Sequence, residues 1–376
     1  MKFQISNFKF QILKRYQIGR ISKQFIFLIF FLTVHCSLFT VHCFSGESAI
    51  TFYNIPTPIA FPSGITTDSK NMVWLVELNS NKIASLHPET GTFKEYDIPT
   101  TKSYPTDIIS SNGALWFTEQ DANQIAMFDS KTNTFKEYEI PTPESQPLRL
   151  TIDKSGNVWF TEFFGNKIGK LAPSSGKFKE YQIPTKMSQP MGIVADNIGM
   201  VWFIESQGNK LGRLNPASGE IKEYQIPFQF CVPNEITIDK KGSIWMSARK
   251  DRKLLKFNPA SSTFKDFTLP GKGVPEGIAV DGNNNIWYAD KRGSKVGRLE
   301  PKTGEFFEFN IGLPNGQPFD IAVDAKNTVW FTELGNNKIG KVDSATLSKN
   351  LSQKHDSGVM SIKLDGKQKD LLKQKQ

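Results

Sequence analysis

The chain has 376 residues, a formal net charge of +9 and an isoelectric point near 9.2. This positive charge is concentrated at the two ends: residues 1–46 carry +6 and residues 344–376 carry +4, which leaves −1 for residues 47–343. A protein that binds nucleic acid needs a surplus of cations on its working face. The electrically balanced body therefore argues against a nucleic-acid partner. As a separate expectation, the protein is predicted to be a monomer.

An apolar run near the N-terminus predicts export. Residues 25–44 read FIFLIFFLTVHCSLFTVHCF, after six Lys or Arg and before small and polar residues. This order is typical of a secretory signal, and the run is also long enough to anchor a protein in a bilayer. We expect residues 1–46 to be a signal peptide or an N-terminal membrane anchor, the only part in contact with a membrane. The body would be secreted or anchored at the outer face of the cell membrane.

A repeat of 42 or 43 residues organises the rest of the chain. It is marked by the seven tryptophans, Trp74, Trp116, Trp159, Trp202, Trp245, Trp287 and Trp330. Gly or Asn stands three residues before each of them, and both types favour a turn with positive φ. Each unit contains four short strand-like words, and a period of roughly 40–45 residues with four strands is typical of a propeller blade. The sequence predicts an all-β, seven-bladed propeller of four-stranded blades over residues 47–343. The polar, Lys-rich residues 344–376 are predicted to be a disordered tail.

The word for the fourth strand predicts how the ring closes. It follows six of the seven tryptophan units, as in FKEYQIP at residues 178–184, and is missing after the last. The remaining copy is ITFYNIP at residues 50–56, ahead of the first unit. We therefore expect the N-terminal strand to complete the last blade, which removes an exposed sheet edge.

The repeat unit resembles that of the streptogramin B lyases, the virginiamycin B lyase family. The resemblance covers about residues 50–343, and the words WFTE and NKIG carry it most clearly at residues 159–169 and 330–340. It implies a seven-bladed propeller that opens a cyclic depsipeptide by Mg²⁺-assisted elimination. It also implies a small-molecule or cyclic-peptide ligand on one face of the ring, Mg²⁺ as a cofactor, and catalytic histidines in P-H-x-I words of two neighbouring blades, helped by nearby glutamates.

This chain departs from the family pattern where the histidines are expected. The residues after the corresponding prolines are Ser63, Thr106, Leu148, Met191, Asn234, Glu276 and Phe319. Without histidine at these positions, the lyase activity lacks its expected acid and base. Two alternatives are a non-catalytic extracellular binding module and a metal-assisted, lactonase-like hydrolase that uses carboxylates.

An acid stands three residues after six of the seven tryptophans, and an Asn stands seven residues after five of them. Because a residue repeated in every blade serves the blade, we interpret these acids as structural. The shared spacing predicts a bond between the acid and the Asn, across the turn from the second strand to the third.

A ligand site must break the symmetry of the repeat, and the departures cluster in the fifth and sixth blades. There the same turn reads SARKDRK at residues 247–253 and ADKRGSK at residues 289–295. Small-molecule sites of propellers form where such loops meet at the channel mouth. The predicted ligand-binding residues are Arg249, Arg252, Arg292, Glu235, Glu276 and Asp290, with Arg149 of the third blade as a weaker candidate.

Overall fold

A computed structural model describes residues 50–342, which contain 28 β-strands and no helix. The strands form seven four-stranded antiparallel sheets, so the predicted all-β, seven-bladed propeller is confirmed. The predictions for residues 1–46 and 344–376 concern segments outside the described residues. Within residues 50–342, no helix is long and apolar enough to cross a membrane.

The strands follow one another in blades along the chain. Strand β1 (Ile50–Asn54) comes first and is followed by blade 1, with β2 (Pro62–Thr67), β3 (Val73–Glu77), β4 (Lys82–Leu86) and β5 (Phe93–Asp97). Blade 2 has β6 (Pro105–Ser111), β7 (Ala114–Glu119), β8 (Gln124–Asp129) and β9 (Thr134–Glu139). Blade 3 has β10 (Pro147–Ile152), β11 (Val158–Glu162), β12 (Lys167–Ala172) and β13 (Lys177–Gln182). Blade 4 has β14 (Pro190–Ala195), β15 (Val201–Glu205), β16 (Lys210–Leu214) and β17 (Ile221–Gln225).

The last three blades complete the ring. Blade 5 has β18 (Pro233–Ile238), β19 (Ile244–Ala248), β20 (Lys253–Asn258) and β21 (Thr263–Thr268). Blade 6 has β22 (Pro275–Val280), β23 (Ile286–Asp290), β24 (Lys295–Glu300) and β25 (Glu305–Asn310). Blade 7 has β26 (Pro318–Val323), β27 (Val329–Glu333) and β28 (Lys338–Val342), and takes its fourth strand from the start of the described chain.

That fourth strand is β1, which pairs antiparallel with β28 from Ile50 opposite Val342 to Asn54 opposite Lys338. The prediction that the N-terminal strand closes the ring is thereby confirmed. Since the two strands come from opposite ends of the propeller, their ladder fixes the first blade next to the last.

The tryptophans form the buried centre of the blades. Every residue of the second strands β11, β15, β19, β23 and β27 is buried, whereas the fourth strands alternate between half-buried and exposed. Trp159 and Trp330 are fully buried. Burial of apolar side chains at roughly 25 cal/mol per Å² is the main force that holds such sheets together.

An aspartate six residues before the tryptophan ties the turn to the core. Asp153 Oδ1 accepts hydrogen bonds from the amides of Ser155 (2.9 Å) and Asn157 (3.0 Å), while its Oδ2 accepts one from Trp159 Nε1 (2.8 Å). The same indole bond occurs in blades 1, 4, 5, 6 and 7. The turn residue Gly156 has φ of 78°, so the prediction of positive φ at this position is confirmed.

The glycine of the NKIG word is a packing position. A Cβ added at Gly169 would lie 2.1 Å from the ring of Phe160 in the neighbouring strand, and one at Gly340 would lie 2.0 Å from the ring of Phe331. Both aromatic rings are fully buried. Glycine is therefore required at these two positions, because any larger residue would overlap the aromatic ring of the neighbouring strand.

Candidate functional site

Two kinds of loop build one face of the propeller, which we call the top face. The loop between the second and third strands of a blade lies against the linker that enters the same blade. In blade 5, the Arg249 amide donates to the Val232 carbonyl (3.1 Å), and in blade 6 the Lys291 amide donates to the Val274 carbonyl (3.1 Å). Side chains from both kinds of loop therefore meet on this face.

A cleft of about 910 Å³ opens on the top face at blades 5 and 6. It lies between the β19–β20 and β23–β24 loops and the linkers that enter blades 6 and 7. Six cations and one acid line it, and we call this set the basic cleft: Arg249, Lys250, Arg252, Lys272, Lys291, Arg292 and Glu276. The structure thus brings four of the seven predicted ligand-binding residues to one cavity.

The single acid of the basic cleft is already paired. Arg249 Nε donates to Glu276 Oε2 (2.7 Å), and Arg249 Nη2 lies 2.5 Å from the same oxygen. Asn234 Nδ2 donates to the same oxygen (3.3 Å). No other ion pair within 4.0 Å joins the remaining five cations to an acid in residues 50–342. The cleft therefore has a local excess of positive charge, although the body as a whole is balanced.

The backbone of the basic cleft is strained where the repeat is broken. Five blades place Asn at the end of the loop between the second and third strands, with φ between 51° and 58°. Arg252 and Ser294 hold the same conformation at that position, with φ of 55° and 53°. Asn adopts the left-handed region more readily than Arg, for which it costs on the order of 1–3 kcal/mol. Strain of this kind clusters at functional sites.

Arg149 and Glu235 lie in the central channel and not in the basic cleft. The first strands line a cavity of about 410 Å³ there, and Arg149 Nε lies 2.5 Å from Glu235 Oε2 within it. Arg149 also approaches Asp107 at 3.6 Å. Burial raises the pKa of Asp107 to about 7, and the charge of Arg149 acts against this rise. Because these side chains are ion-paired across the channel, they connect blades 2, 3 and 5.

Asp290 supports the loops beside the cleft. Its side chain is buried, and its Oδ1 accepts hydrogen bonds from the amides of Val274 (2.7 Å) and Gly293 (2.8 Å). These amides belong to the linker and the loop that flank the cavity. Asp290 therefore orients both segments but is not among the residues that line the cleft.

The predicted bond between the repeated acid and the Asn is wrong. In blade 3, Asn166 Nδ2 donates to the carbonyl of Thr185 (2.9 Å), and its Oδ1 accepts from the amide of Ser188 (2.7 Å). Both partners lie in the linker to the next blade, 19 and 22 residues away. The Asn therefore joins neighbouring blades, while Glu162 has no hydrogen-bond partner at either carboxyl oxygen.

Four of the repeated acids are buried without partners: Glu77, Glu119, Glu162 and Glu205. Burial is the largest cause that raises their pKa, and the charge of a second Glu in the same blade adds to it. The pKa reaches about 8 for Glu77, Glu119 and Glu162 and about 7 for Glu205. At neutral pH Glu77, Glu119 and Glu162 are therefore mostly protonated and Glu205 is about half protonated, so these four acids do not form a ring of full negative charges.

The basic cleft does not provide a metal site. Residues 50–342 contain no group of three or more His, Cys, Asp or Glu that could hold a metal ion. The one acid of the cleft is held by Arg249, and Mg²⁺ prefers carboxylate and water oxygens. The donor set therefore does not fit Mg²⁺. His87, the one histidine among the described residues, accepts from the Glu89 amide (3.3 Å) in the β4–β5 turn, on the opposite face from the cleft.

An apolar rim occupies the top face of blades 1 to 5. It consists of six exposed side chains, Ile59, Phe61, Tyr104, Phe164, Met187 and Phe230. Five of them hold positive φ in the linkers, with values from 50° to 58°. Lys250 of the basic cleft lies 5.5 Å from the ring of Phe230, so the two surfaces are continuous. Sequence reasoning missed this rim, although words such as PTPIAFP place large apolar residues in a turn-rich linker.

The chain matches one protein family over most of its length. A model of the virginiamycin B lyase family matches residues 40–158 and 109–356. A streptogramin B lyase structure shares 31% identity and a TM-score of 0.74, covering 78% of this chain and 97% of that chain. A catalytically inactive virginiamycin B lyase from Staphylococcus aureus, with quinupristin, shares 31% identity and a TM-score of 0.73, covering 78% of this chain and 98% of that chain.

More distant structures share the fold. The extracellular domain of a one component system from B. thetaiotaomicron has 15% identity and a TM-score of 0.63, covering 78% of this chain and 39% of that chain. A search of curated proteins finds no match.

Glu162→Gln removes one buried carboxyl whose pKa in the folded chain is about 8. An unfolded Glu has a pKa of about 4.3, so the folded state binds this proton more tightly. The stabilisation that this proton gives to the folded state is complete below about pH 4 and is lost as the pH rises towards about 8. Between these values the free energy of unfolding should fall more steeply for the parent than for Glu162→Gln, by up to about 1.4 kcal/mol per pH unit. Urea denaturation followed by tryptophan fluorescence measures both slopes.

The control is Glu139→Gln, which removes an exposed carboxyl and should keep the slope of the parent. Equal slopes for all three proteins would contradict the raised pKa of Glu162.

Proposed function

The chain belongs to the virginiamycin B lyase family, and we propose that its top face binds an amphipathic small molecule or cyclic peptide that carries an anionic group. The observation that carries this proposal is a cleft with five cations that form no ion pair within residues 50–342, next to an exposed apolar rim. A ligand with one charged end and one apolar side matches both surfaces.

The guanidinium groups suit an oxyanion. Arg252 and Arg292 each present several N–H donors in a plane, which can bind a carboxylate or a phosphate through two parallel hydrogen bonds. Each charge-assisted contact of this kind is worth roughly 1.5–3 kcal/mol. Arg249 plays a different part, because its pairing with Glu276 keeps a buried carboxylate neutralised and holds the floor of the cleft in place.

The apolar rim supports a ligand with a large hydrophobic surface. Met187 and Ile59 are exposed over 82% and 75% of their area, and both hold the left-handed backbone conformation. Large exposed apolar patches on soluble proteins mark binding surfaces. A cyclic peptide is a ligand of the required size, and quinupristin is the molecule found with the S. aureus relative.

We propose binding without the elimination reaction of the family. The support is the identity of the residues that follow the first-strand prolines of blades 5 and 6, where Asn234 and Glu276 stand in place of imidazoles. Glu276 is engaged by Arg249 and Asn234 and so is not free to take a proton from a ligand. Incubation of the purified chain with quinupristin and Mg²⁺, followed by liquid chromatography, should return the cyclic form. Appearance of the linear form would establish lyase activity and overturn this part of the proposal.

We further propose that the propeller works outside the cytoplasm, because residues 1–46 have the order of a secretory signal or anchor. If the segment is cleaved, N-terminal sequencing of the exported protein should give a start between residues 45 and 50. If it anchors, the full-length chain should fractionate with the membrane and its body should be open to added protease. Recovery of the intact chain from the cytosol would contradict both forms.

The double variant Arg252→Ala/Arg292→Ala tests the basic cleft. Neither residue forms an ion pair within residues 50–342, and the Arg252 guanidinium gives up a hydrogen bond to the exposed Gly271 carbonyl. The free energy of unfolding of the variant should therefore stay within about 1 kcal/mol of that of the parent. Its affinity for citrate and for an acidic cyclic peptide, measured by calorimetry at low salt, should fall by about tenfold or more, since about 1.4 kcal/mol corresponds to tenfold.

The matched control is Lys131→Ala/Lys302→Ala, which removes the same charge from exposed turns on the opposite face. It should bind as the parent does. An equal loss in both double variants would show that only net charge matters, and no loss in the first would place the ligand elsewhere.

A further inference from the structure

A lysine begins the third strand in six of the seven blades. These residues are Lys82, Lys167, Lys210, Lys253, Lys295 and Lys338. Blade 2 is the exception, because Gln124 stands at this position. A residue type that recurs in six of seven blades has a structural role in the blade. The replacement of this lysine in blade 2 therefore needs a structural explanation.

The lysine fills an acidic pocket between three elements. In blade 1, Lys82 Nζ lies 3.1 Å from Glu95 Oε2 of the fourth strand and 3.0 Å from Thr57 Oγ1 of the linker. The buried Glu77 of the second strand lies close enough for Lys82 to lower its pKa, against the larger effect of burial. The ammonium group thus offsets two carboxyls and binds the linker to the blade.

Blades 3 and 4 repeat this arrangement. Lys167 Nζ lies 2.9 Å from Glu180 Oε2 and 2.5 Å from Thr142 Oγ1. Lys210 Nζ lies 2.6 Å from Glu223 Oε2 and 2.7 Å from Thr185 Oγ1. The same cation, carboxylate and hydroxyl therefore meet in three copies of the pocket, those of blades 1, 3 and 4.

Blade 2 keeps every oxygen of the pocket and loses the cation. Glu137 accepts hydrogen bonds from Thr100 N (3.1 Å) and Thr100 Oγ1 (3.0 Å), and that hydroxyl lies 3.3 Å from Gln124 Oε1. Glu119 is completely buried, and neither of its carboxyl oxygens has a hydrogen-bond partner. Burial and then the charge of Glu137 raise its pKa to about 8, and no lysine counteracts them. Two carboxyls therefore face each other without the positive charge that the neighbouring blades supply.

We propose that a calcium ion takes the place of the lysine in blade 2, bound by oxygens of Glu119, Glu137, Gln124 and Thr100. The donor set contains oxygen only, which suits Ca²⁺ or Mg²⁺ and disfavours zinc and copper, which prefer nitrogen and sulfur. The ion displaces the proton that the Glu119 carboxyl carries when the site is empty. The two carboxylates then balance the divalent cation, and bound water completes the coordination.

Calcium fits this mixed set better than magnesium. Ca²⁺ accepts six to eight oxygens in flexible geometry, whereas Mg²⁺ demands a near-ideal octahedron and releases its water reluctantly. The pocket combines carboxylates, one amide oxygen and one hydroxyl from a second strand, third strand, fourth strand and linker. Gln124, Glu137 and Thr100 are only partly buried, so the ion can enter from solvent.

This site is independent of the proposed function. It lies in blade 2, whereas the basic cleft lies at blades 5 and 6. Its role is to hold the linker of residues 98–104 against β9, as the lysine does in blades 1, 3 and 4. Calcium should therefore change stability and leave ligand binding at the cleft unchanged.

Reciprocal exchange of the lysine tests the proposal. The purified chain is stripped with chelator, and its melting temperature is measured with increasing CaCl₂, with MgCl₂ and NaCl as comparisons. The parent should gain about 5 °C at a calcium concentration 100-fold above the dissociation constant. Gln124→Lys installs the residue of the other blades, so it should melt higher than the parent without calcium and show no further calcium response.

The matched variant Lys167→Gln converts blade 3 into a copy of blade 2 and should add a second calcium response. Glu137→Gln, which keeps the size of the side chain, should weaken calcium binding at least tenfold. The proposal is overturned if the parent shows no calcium response, if Gln124→Lys retains the full response, or if sodium stabilises the parent as well as calcium does.

Discussion

The pairing of β1 with β28 is the constraint on which the rest of the structure depends. Its five residue pairs join the start of the described chain to its end, from Ile50 opposite Val342 to Asn54 opposite Lys338. Without them, blade 7 would have three strands and an open edge at β28. The closed ring brings the first strands around one channel, where Arg149 of blade 3 can reach Glu235 of blade 5. It also sets the distance between the loops that form the basic cleft.

Within this ring, the repeated positions and their exceptions have different roles. Repeated residues build the blade, as the bond from Trp159 Nε1 to Asp153 shows. Residues that depart from the repeat change the charge of one blade only. Arg252 replaces a linker-binding Asn at the basic cleft, and Gln124 replaces a lysine in blade 2. The two exceptions have opposite electrostatic effects, because one adds a cation to an exposed cleft and the other removes one from an acidic pocket. In a pseudo-symmetric fold, the other blades thus show the same pocket or loop without the exceptional residue and can be compared with it directly.

The parts of this structure that could be predicted from sequence are those with a local signal. The tryptophan interval predicted the blades, and the ITFYNIP word ahead of the first unit predicted the closure. The turns at residues 247–253 and 289–295 predicted three of the residues that line the cleft, Arg249, Arg252 and Arg292. Contacts between distant segments left no such signal. The pairing of Arg149 with Glu235 spans two blades, and the Asn side chains bind carbonyls 17 and 19 residues away. The lack of partners at Glu162 depends on the whole surrounding loop structure.

The most direct test of this account is the stability of a chain in which residues 50–57 are deleted and the N-terminal segment is joined to Pro58. Loss of the β1–β28 ladder and of the buried Ile50 and Ile55 should lower the free energy of unfolding by more than about 4 kcal/mol. Affinity for citrate at the basic cleft should fall with it, because blade 7 supplies one wall of the cavity. A deletion variant that melts at the temperature of the parent and binds citrate equally well would contradict closure of the ring by this strand.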